Sequence, residues 1–199
     1  MPPGHGIYPS IINESGSAMA ILKIARMGHP VLRRRAQEVD LPIPGYIRQL
    51  AMDMIETMVD ASGVGLAAPQ VHIGSRIIVF RVPADRSSGA AGDQPAEAQA
   101  LINPVVEPLT EELAFGWEGC LSIPGLRGMV PRHTRIRYSG LAPDGTRVER
   151  EASGFHARVI QHEMDHLDGI LYLDRMPDMR LLTFQEEMKY FGPETLPKN

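Results

Sequence analysis

The chain has 199 residues, of which 43% are hydrophobic and 22% are charged, and its formal net charge is −4. This composition is typical of a globular domain with a real core. The net negative charge argues against a nucleic-acid binder, which usually presents a basic face, and no apolar run approaches the roughly 18 residues of a membrane span. A single cysteine, Cys120, excludes an internal disulfide and favours the reducing cytoplasm as the setting.

The first 18 residues differ from the rest of the chain. They lack the apolar core of a signal peptide, and they contain no arginine, unlike a mitochondrial transit segment. Met19 then opens "MAILKIARMG", which looks like a natural start. We therefore expect residues 1–18 to be a flexible extension and residues 19–199 to form one domain.

The first half of that domain predicts one helix and two strands. "GHPVLRRRAQEVDLP" is a connector with a possible helical turn, and residues 45–61 place apolar side chains at helical spacing. The methionines of that helix are most simply core residues, because methionine fills gaps in packed interiors. "RIIVFRV" and "ALINPVVEPL" are typical of buried strands. "PADRSSGAAGDQPAEAQ", between them, has loop composition.

The second half predicts a hairpin followed by helices. "TRIRYSGLAPDGTRVEREASG" alternates on both sides of a turn at "APDG". A helix is expected over residues 154–168, and a last helix over about 178–191. Strands precede a central helix instead of alternating with helices. The sequence therefore predicts an α+β fold, with antiparallel or mixed sheets packed around a central metal-binding helix and a C-terminal helix.

The metal prediction rests on "QHEMDHLDG", residues 161–169, which places His162 and His166 four apart with Glu163 directly after the first. On a helix these two positions share a face, so both imidazoles could bind one metal ion while Glu163 moves protons. Apolar neighbours predict a buried helix, where unpaired polar groups are costly. Two protein ligands are too few for a stable site, so a third is needed.

Three sources for the third ligand can be compared. The metzincin pattern requires a histidine where this chain has Tyr172, so that pattern fails. A thermolysin-like site would take a glutamate from a later helix, such as Glu186 or Glu187, although a solvated helix face explains both more simply. The lone thiol in "GWEGCLSIPG" is the third source.

Cys120 in that segment is flanked by residues that shape a loop, because glycine permits close backbone approach and proline stops a regular helix. Cys-His₂ sets occur at catalytic zinc centres with an open fourth position. Burial as core filler and a Cys–His nucleophile remain alternatives. The nucleophile would leave Glu163 and the second histidine without a role. A structural zinc module would need a fourth ligand.

Three motifs occur in one order along the chain: "GVGLAAPQ" (63–70), "EGCLS" (118–122) and "QHEMDH" (161–166). In this order and at about these separations, they resemble the motifs of bacterial and organellar peptide deformylases, over nearly the whole chain from Met19. The resemblance implies a cytoplasmic metal-dependent hydrolase. Such an enzyme removes the formyl group from the N-terminal formyl-methionine of newly synthesised proteins and releases formate.

The resemblance also implies roles for particular residues. It assigns Cys120, His162 and His166 as metal ligands, Glu163 as general acid and base, and Gln70 and Leu121 as donors to the oxyanion. Further candidates for contact with substrate, any of which could instead be core or solvated, are Val64, Gly65, Trp117, Arg127, Phe155 and Val159.

The resemblance further implies one divalent metal ion per chain. The ion that the resemblance implies in the cell is ferrous iron, and we expect zinc, nickel or cobalt to substitute, because one thiolate and two imidazoles suit all four metals. The expected partners are N-formylmethionyl peptides and, transiently, the ribosome, with no direct binding to nucleic acid or membrane. A zinc endopeptidase with Glu186 as third ligand is the alternative.

Overall fold

The computed structural model describes residues 20–191, so the predicted extension over residues 1–18 lies outside the described residues. The described part contains two α-helices and eight strands, arranged in two antiparallel sheets. The α+β prediction is confirmed. No helix between residues 20 and 191 is long and apolar enough to cross a membrane.

The larger sheet has five strands in the order β1-β2-β3-β6-β7. Strand β2 is buried along nearly its whole length, as its unbroken apolar run predicts. The hairpin of β6 and β7 turns where "APDG" predicts, with Gly145 at φ 89°. These strands are β1 (Gly65–Ala67), β2 (Ile77–Val82), β3 (Ala96–Pro108), β6 (Arg135–Leu141) and β7 (Arg147–Ser153).

The smaller sheet has the order β4-β5-β8 and carries the "GWEGC" segment. Its strands are β4 (Leu113–Cys120), β5 (Ile123–His133) and β8 (Leu182–Phe184). Only two residues separate β4 from β5, so Cys120 lies at the tight end of this hairpin, opposite Ile123. The turn therefore presents the thiol at the edge of the sheet instead of inside it.

The predicted C-terminal helix over 178–191 is wrong. The segment forms a 3₁₀ turn (Met179–Leu181), strand β8 and a second 3₁₀ segment (Gln185–Tyr190). Strand β8 takes its backbone hydrogen bonds from β5. No residue of Gln185–Tyr190 is buried, so a helix there would have no core to pack against, and packing supplies most helical stability.

Both predicted internal helices are present. Helix α1 (Gly45–Asp60) buries Met54 and Met58 completely, which confirms core packing for these two methionines, whereas Met52 on the opposite side is exposed. Helix α2 (Gly154–Leu167) packs against strands of both sheets, as the prediction of a central helix requires. The buried Asp93, from the loop before β3, accepts a hydrogen bond from the His156 N–H at the start of α2.

Candidate active site

The two histidines of α2 and the cysteine of β4 converge. The possible ligand atoms of Cys120, His162 and His166 all lie within 4.8 Å of one another, and Cys120 Sγ is 3.2 Å from His166 Nε2. Glu186 is not part of this group; it lies with Gly125 and Phe184 around a separate surface depression. The structure thus brings the third predicted ligand to the histidines and leaves the alternative one outside.

The orientation of the His162 ring is fixed by a hydrogen bond at Nδ1. Its Nδ1 lies 2.9 Å from Glu118 Oε2, so Nδ1–H donates to the carboxylate and Nε2 is left free to face the other ligands. A carboxylate behind a ligating imidazole is the usual arrangement at metal centres, because it fixes the tautomer and raises ligand basicity. Burial opposes ionisation of Glu118, but hydrogen bonds from His162 and Arg132 hold the pKa of its carboxyl far below the ordinary value.

A network of buried charges extends behind Glu118. Arg132 donates to both Glu118 oxygens at 2.9 and 3.0 Å and to Asp165 at 2.6 Å. Arg158 donates to Glu118 at 2.9 Å, and Arg175 donates to Asp165 at 2.7 Å. The roles of these residues were not predicted from the sequence. The available signals were a glutamate two residues before the cysteine and an aspartate directly before the second histidine.

Glu163 has a different environment. It is buried, and its Oε2 has no hydrogen-bond partner among the described residues. Burial is the main reason that the pKa of its carboxyl is raised to about 7. A Cβ on Gly65 would lie 2.1 Å from Glu163 Oε1. The absence of a side chain at Gly65 therefore makes the space in which the carboxyl sits.

Gln70 is almost fully buried, and its amide is held in one orientation. Its Oε1 accepts from the Ala67 N–H at 2.8 Å, so its Nε2 points towards Cys120 Sγ (3.4 Å) and Ser122 Oγ (3.1 Å). Leu121 directly follows the cysteine, and its carbonyl accepts from Arg26 at 2.7 Å. Both predicted oxyanion donors thus belong to residues beside the thiol.

These groups open into a cavity of about 530 Å³. Every predicted site residue except His166 lines it, including all six candidates for contact with substrate. The same cavity is also lined by four residues that were not predicted from the sequence: Arg26, Arg86, Arg158 and Gln185. None of these four lies in a recognisable motif, so no local sequence signal could have found them.

Comparison with known proteins gives the family. The model of the polypeptide deformylase family matches residues 21–181. Peptide deformylase 1 of Bordetella pertussis is 49% identical over 164 residues, 82% of this chain and 92% of that protein. Peptide deformylase 1 of Xanthomonas campestris pv. campestris is 49% identical over 170 residues, 85% and 98% of the two chains. The chain belongs to the polypeptide deformylase family.

Solved peptide deformylases share the fold of this chain. The Met-Ala-Ser-bound class I type b enzyme of Acinetobacter baumannii has a TM-score of 0.72 and 37% identity, with coverage of 79% of this chain and 99% of that one. The Thermotoga maritima enzyme has a TM-score of 0.71 and 37% identity, with coverage of 80% and 99%. The prediction of a deformylase is confirmed. The family is metal-dependent, and this chain's Cys-His-His cluster could bind the metal.

Proposed function

We propose that this deformylase holds one divalent metal ion on Cys120, His162 and His166 and uses Glu163 to remove the formyl group from N-terminal formyl-methionine. The observation that carries the proposal is the convergence of three ligand atoms within 4.8 Å, beside a buried carboxyl and at the wall of one cavity. Ferrous iron is the proposed metal in the cell, with zinc, nickel or cobalt as substitutes, because the donor set suits all of them.

The donor chemistry of this chain fits a metal ion. Glu118 occupies His162 Nδ1, so that Nε2 keeps its lone pair for a metal. Burial opposes ionisation of the Cys120 thiol, but the neighbouring imidazole of His166 leads the interactions that lower its pKa well below the ordinary value. A thiol that ionises readily is ready to ligate, because the thiolate is the ligand form.

Glu163 is proposed as the proton carrier. When bound, the metal supplies a nucleophile at neutral pH by lowering the pKa of its water. The Glu163 carboxyl accepts a proton from the attacking water and delivers it to the leaving amine, since a free amide anion is too basic to depart. A pKa of about 7 suits a group that both takes and gives a proton near neutral pH.

Gln70 and Leu121 are proposed to stabilise the charge on the formyl oxygen. The Gln70 amide is already held with its NH₂ towards the thiol, so it can donate to the oxyanion without reorganising. The Leu121 backbone N–H, next to the ligand Cys120, supplies the second donor. One such preorganised donor typically contributes about 3 kcal/mol to transition-state stabilisation.

The methionine side chain of the substrate is proposed to lie among apolar residues of the cavity. A flexible thioether fills an irregular apolar slot well. Gly65 lets the peptide backbone approach, and Arg127 contacts residues beyond the methionine. The proposed slot is formed by Val64, Trp117, Phe155, Val159 and the His162 ring.

We also propose the bacterial cytoplasm as the place of action, with N-formylmethionyl peptides as substrate and transient contact with the ribosome. The structure of the Acinetobacter baumannii deformylase with Met-Ala-Ser bound supports a short methionyl peptide as ligand of the family. In that setting the enzyme would act on chains as they emerge.

The decisive experiment compares Cys120→Ala with Glu186→Ala in protein purified without oxygen. We expect Cys120→Ala to lose its metal and to release no formate from formyl-Met-Ala-Ser, because a ligand is gone. We expect Glu186→Ala to keep both its metal and its release of formate. Metal analysis and formate release measure the two outcomes, and the reverse pattern would restore the endopeptidase alternative.

A second assay tests the chemistry. Formate release from formyl-Met-Ala-Ser should greatly exceed acetate release from acetyl-Met-Ala-Ser, because the extra methyl must fit a tight site, and overpacking costs roughly 1–3 kcal/mol. Comparable rates on both peptides, or cleavage of internal peptide bonds, would contradict the deformylase reaction.

A further inference from the structure

The outer part of the cavity wall carries three guanidinium groups, which we call the arginine rim: Arg26, Arg86 and Arg127. Arg26 donates to the Leu121 carbonyl at 2.7 Å, and Arg127 donates to Gln185 Oε1 at 3.2 and 2.9 Å. Arg86 lies over the Phe155 ring, 4.4 Å from its centroid. All three thus contact neutral groups, and between residues 20 and 191 none of them forms a salt bridge.

Among residues 20–191, no acid of the cavity wall offsets this charge. In this described part of the chain the wall includes only two carboxylates, Glu118 and Glu163, and both are buried at the closed end. Glu118 is already paired with Arg132 and Arg158. The nearby Glu186 is exposed and lies in the depression that shares Gly125 and Gln185 with this cavity, but it is not part of the cavity wall. The wall at the mouth therefore carries positive charge, which attracts anionic ligands into a low-dielectric cleft.

A substrate must cross this rim. Its formyl group has to reach Glu163 and Cys120 at the closed end, so the residues that follow methionine leave through the mouth. We propose that the arginine rim selects formyl-methionyl peptides that carry aspartate or glutamate in the two positions after methionine. Guanidinium groups pair with carboxylates in a favourable, often bidentate geometry. This inference rests on the proposed function.

Gln185 positions one of the three arginines. It belongs to the C-terminal segment, beyond the residues 21–181 that the family model matches. Its amide oxygen holds both Nε and Nη2 of Arg127, and because the amide is neutral it fixes the guanidinium without cancelling its charge. Phe191 of the same segment packs edge-on against Trp117 of the cavity wall, with ring centroids 5.1 Å apart. The C-terminal segment thus shapes the mouth of the cavity.

The test uses C-terminally amidated peptides, so that the only variable charge is the side chain. We expect kcat/KM for formyl-Met-Asp-Ser-amide to exceed that for the nearly isosteric formyl-Met-Asn-Ser-amide by about three- to tenfold, the range of one or two exposed ion pairs. Formyl-Met-Lys-Ser-amide should be the poorest. The difference should lie in KM and shrink in 1 M salt, where the screening length is about 3 Å.

Two variants link the preference for aspartate over asparagine to the arginine rim. The double variant Arg86→Gln/Arg127→Gln should lose most of the aspartate-to-asparagine ratio. Gln185→Glu should also lower the ratio, because it keeps an acceptor for Arg127 but adds a negative charge; a purely structural role of Gln185 would leave the ratio unchanged. Arg34→Gln is the matched control, since Arg34 is exposed and lies outside the cavity wall.

Equal turnover of the aspartate and asparagine peptides, or a preference that survives the double variant, would overturn the inference while leaving the deformylase reaction intact. Failure to release formate from any of the peptides by the metal-loaded protein would instead contradict the proposed function.

Discussion

The closed end and the mouth of the cavity use charged residues in opposite ways. Behind the metal ligands, Glu118, Arg132, Asp165 and Arg158 are joined into one network, with each charge facing an opposite one at 2.6 to 3.0 Å. At the mouth, the three guanidinium groups of the arginine rim contact only neutral groups within residues 20–191. A buried charge without a partner costs several kcal/mol, whereas an exposed charge costs little. Burial therefore decides which arginines are structural and which are available to a ligand.

Glu163 is the exception among the carboxylates at the closed end. It is as buried as Glu118, yet no described residue donates a hydrogen bond to its Oε2. Buried polar groups are nearly always satisfied, so an unsatisfied one in a site rich in donors indicates a group kept free for a reaction. Substitutions at these two glutamates should separate a role in chemistry from a role in holding the ligands.

Among substitutions that leave the three metal ligands in place, Glu163→Gln is expected to have the largest effect. The amide fills the same space but cannot accept a proton, so formate release should fall by about 10²- to 10⁴-fold, the usual contribution of a general acid or base. Metal content should stay at the wild-type level, because Glu163 is not proposed as a ligand. Glu186→Gln is the matched control. If Glu163→Gln lost its metal together with its activity, the carboxyl would be structural.

Gly65→Ala should have the next largest effect on turnover. The new Cβ would lie 2.1 Å from Glu163 Oε1, so the carboxyl must move. A displacement of about 1 Å at a reacting group can cost roughly a hundredfold in rate. Gly74→Ala, which meets no atom within 4 Å, should keep wild-type kcat. Undiminished turnover by Gly65→Ala at full metal content would mean that the position of Glu163 is not critical.

How far the sequence predicts this molecule depends on how local each feature is. His162, Glu163 and His166 belong to one helix, so their spacing predicted their common position. Cys120 approaches them only through tertiary folding, and it was assigned by resemblance and not by spacing.

Non-local pairing also explains what was missed. The partners of Glu118 lie 14 to 44 residues away along the chain, and one sequence does not reveal such pairs. The C-terminal segment has helix-like spacing, but its backbone instead pairs with β5 through Leu182–Phe184. Long-range backbone pairing overrode local propensity there.

Glu118→Gln tests the network behind the ligands. The amide cannot stabilise the His162 Nδ1–H as a carboxylate does, so metal affinity should fall by about 10- to 100-fold, as is typical when the outer partner of a ligand is changed. Competition with a metal chelator measures this, at a temperature where circular dichroism shows the variant to be folded. Glu149→Gln, exposed on β7, should bind metal like the wild type. Unchanged affinity of Glu118→Gln would mean that the Glu118 contact stabilises the fold without tuning the ligand.

The smallest expected effect is a pH-dependent change in the stability of the metal-free protein. Burial raises the pKa of Glu163 from an ordinary 4.5 to about 7. The folded state therefore holds this proton more tightly than the unfolded state, so its contribution is fully present below pH 4.5 and is lost as pH rises through about 7. A shift of this size corresponds to roughly 3–4 kcal/mol.

Glu163→Gln removes this titration. Thermal unfolding of the metal-free proteins should give the variant a higher Tm, relative to wild type, at pH 8.5 than at pH 4, by roughly 7–14 °C. Any cost of burying the amide is the same at both pH values and cancels in that comparison. Glu149→Gln should show no such difference, because Glu149 is exposed. Parallel Tm curves for Glu163→Gln and wild type would mean that folding does not perturb the Glu163 carboxyl, and the case for a proton carrier poised near neutral pH would lose its electrostatic support.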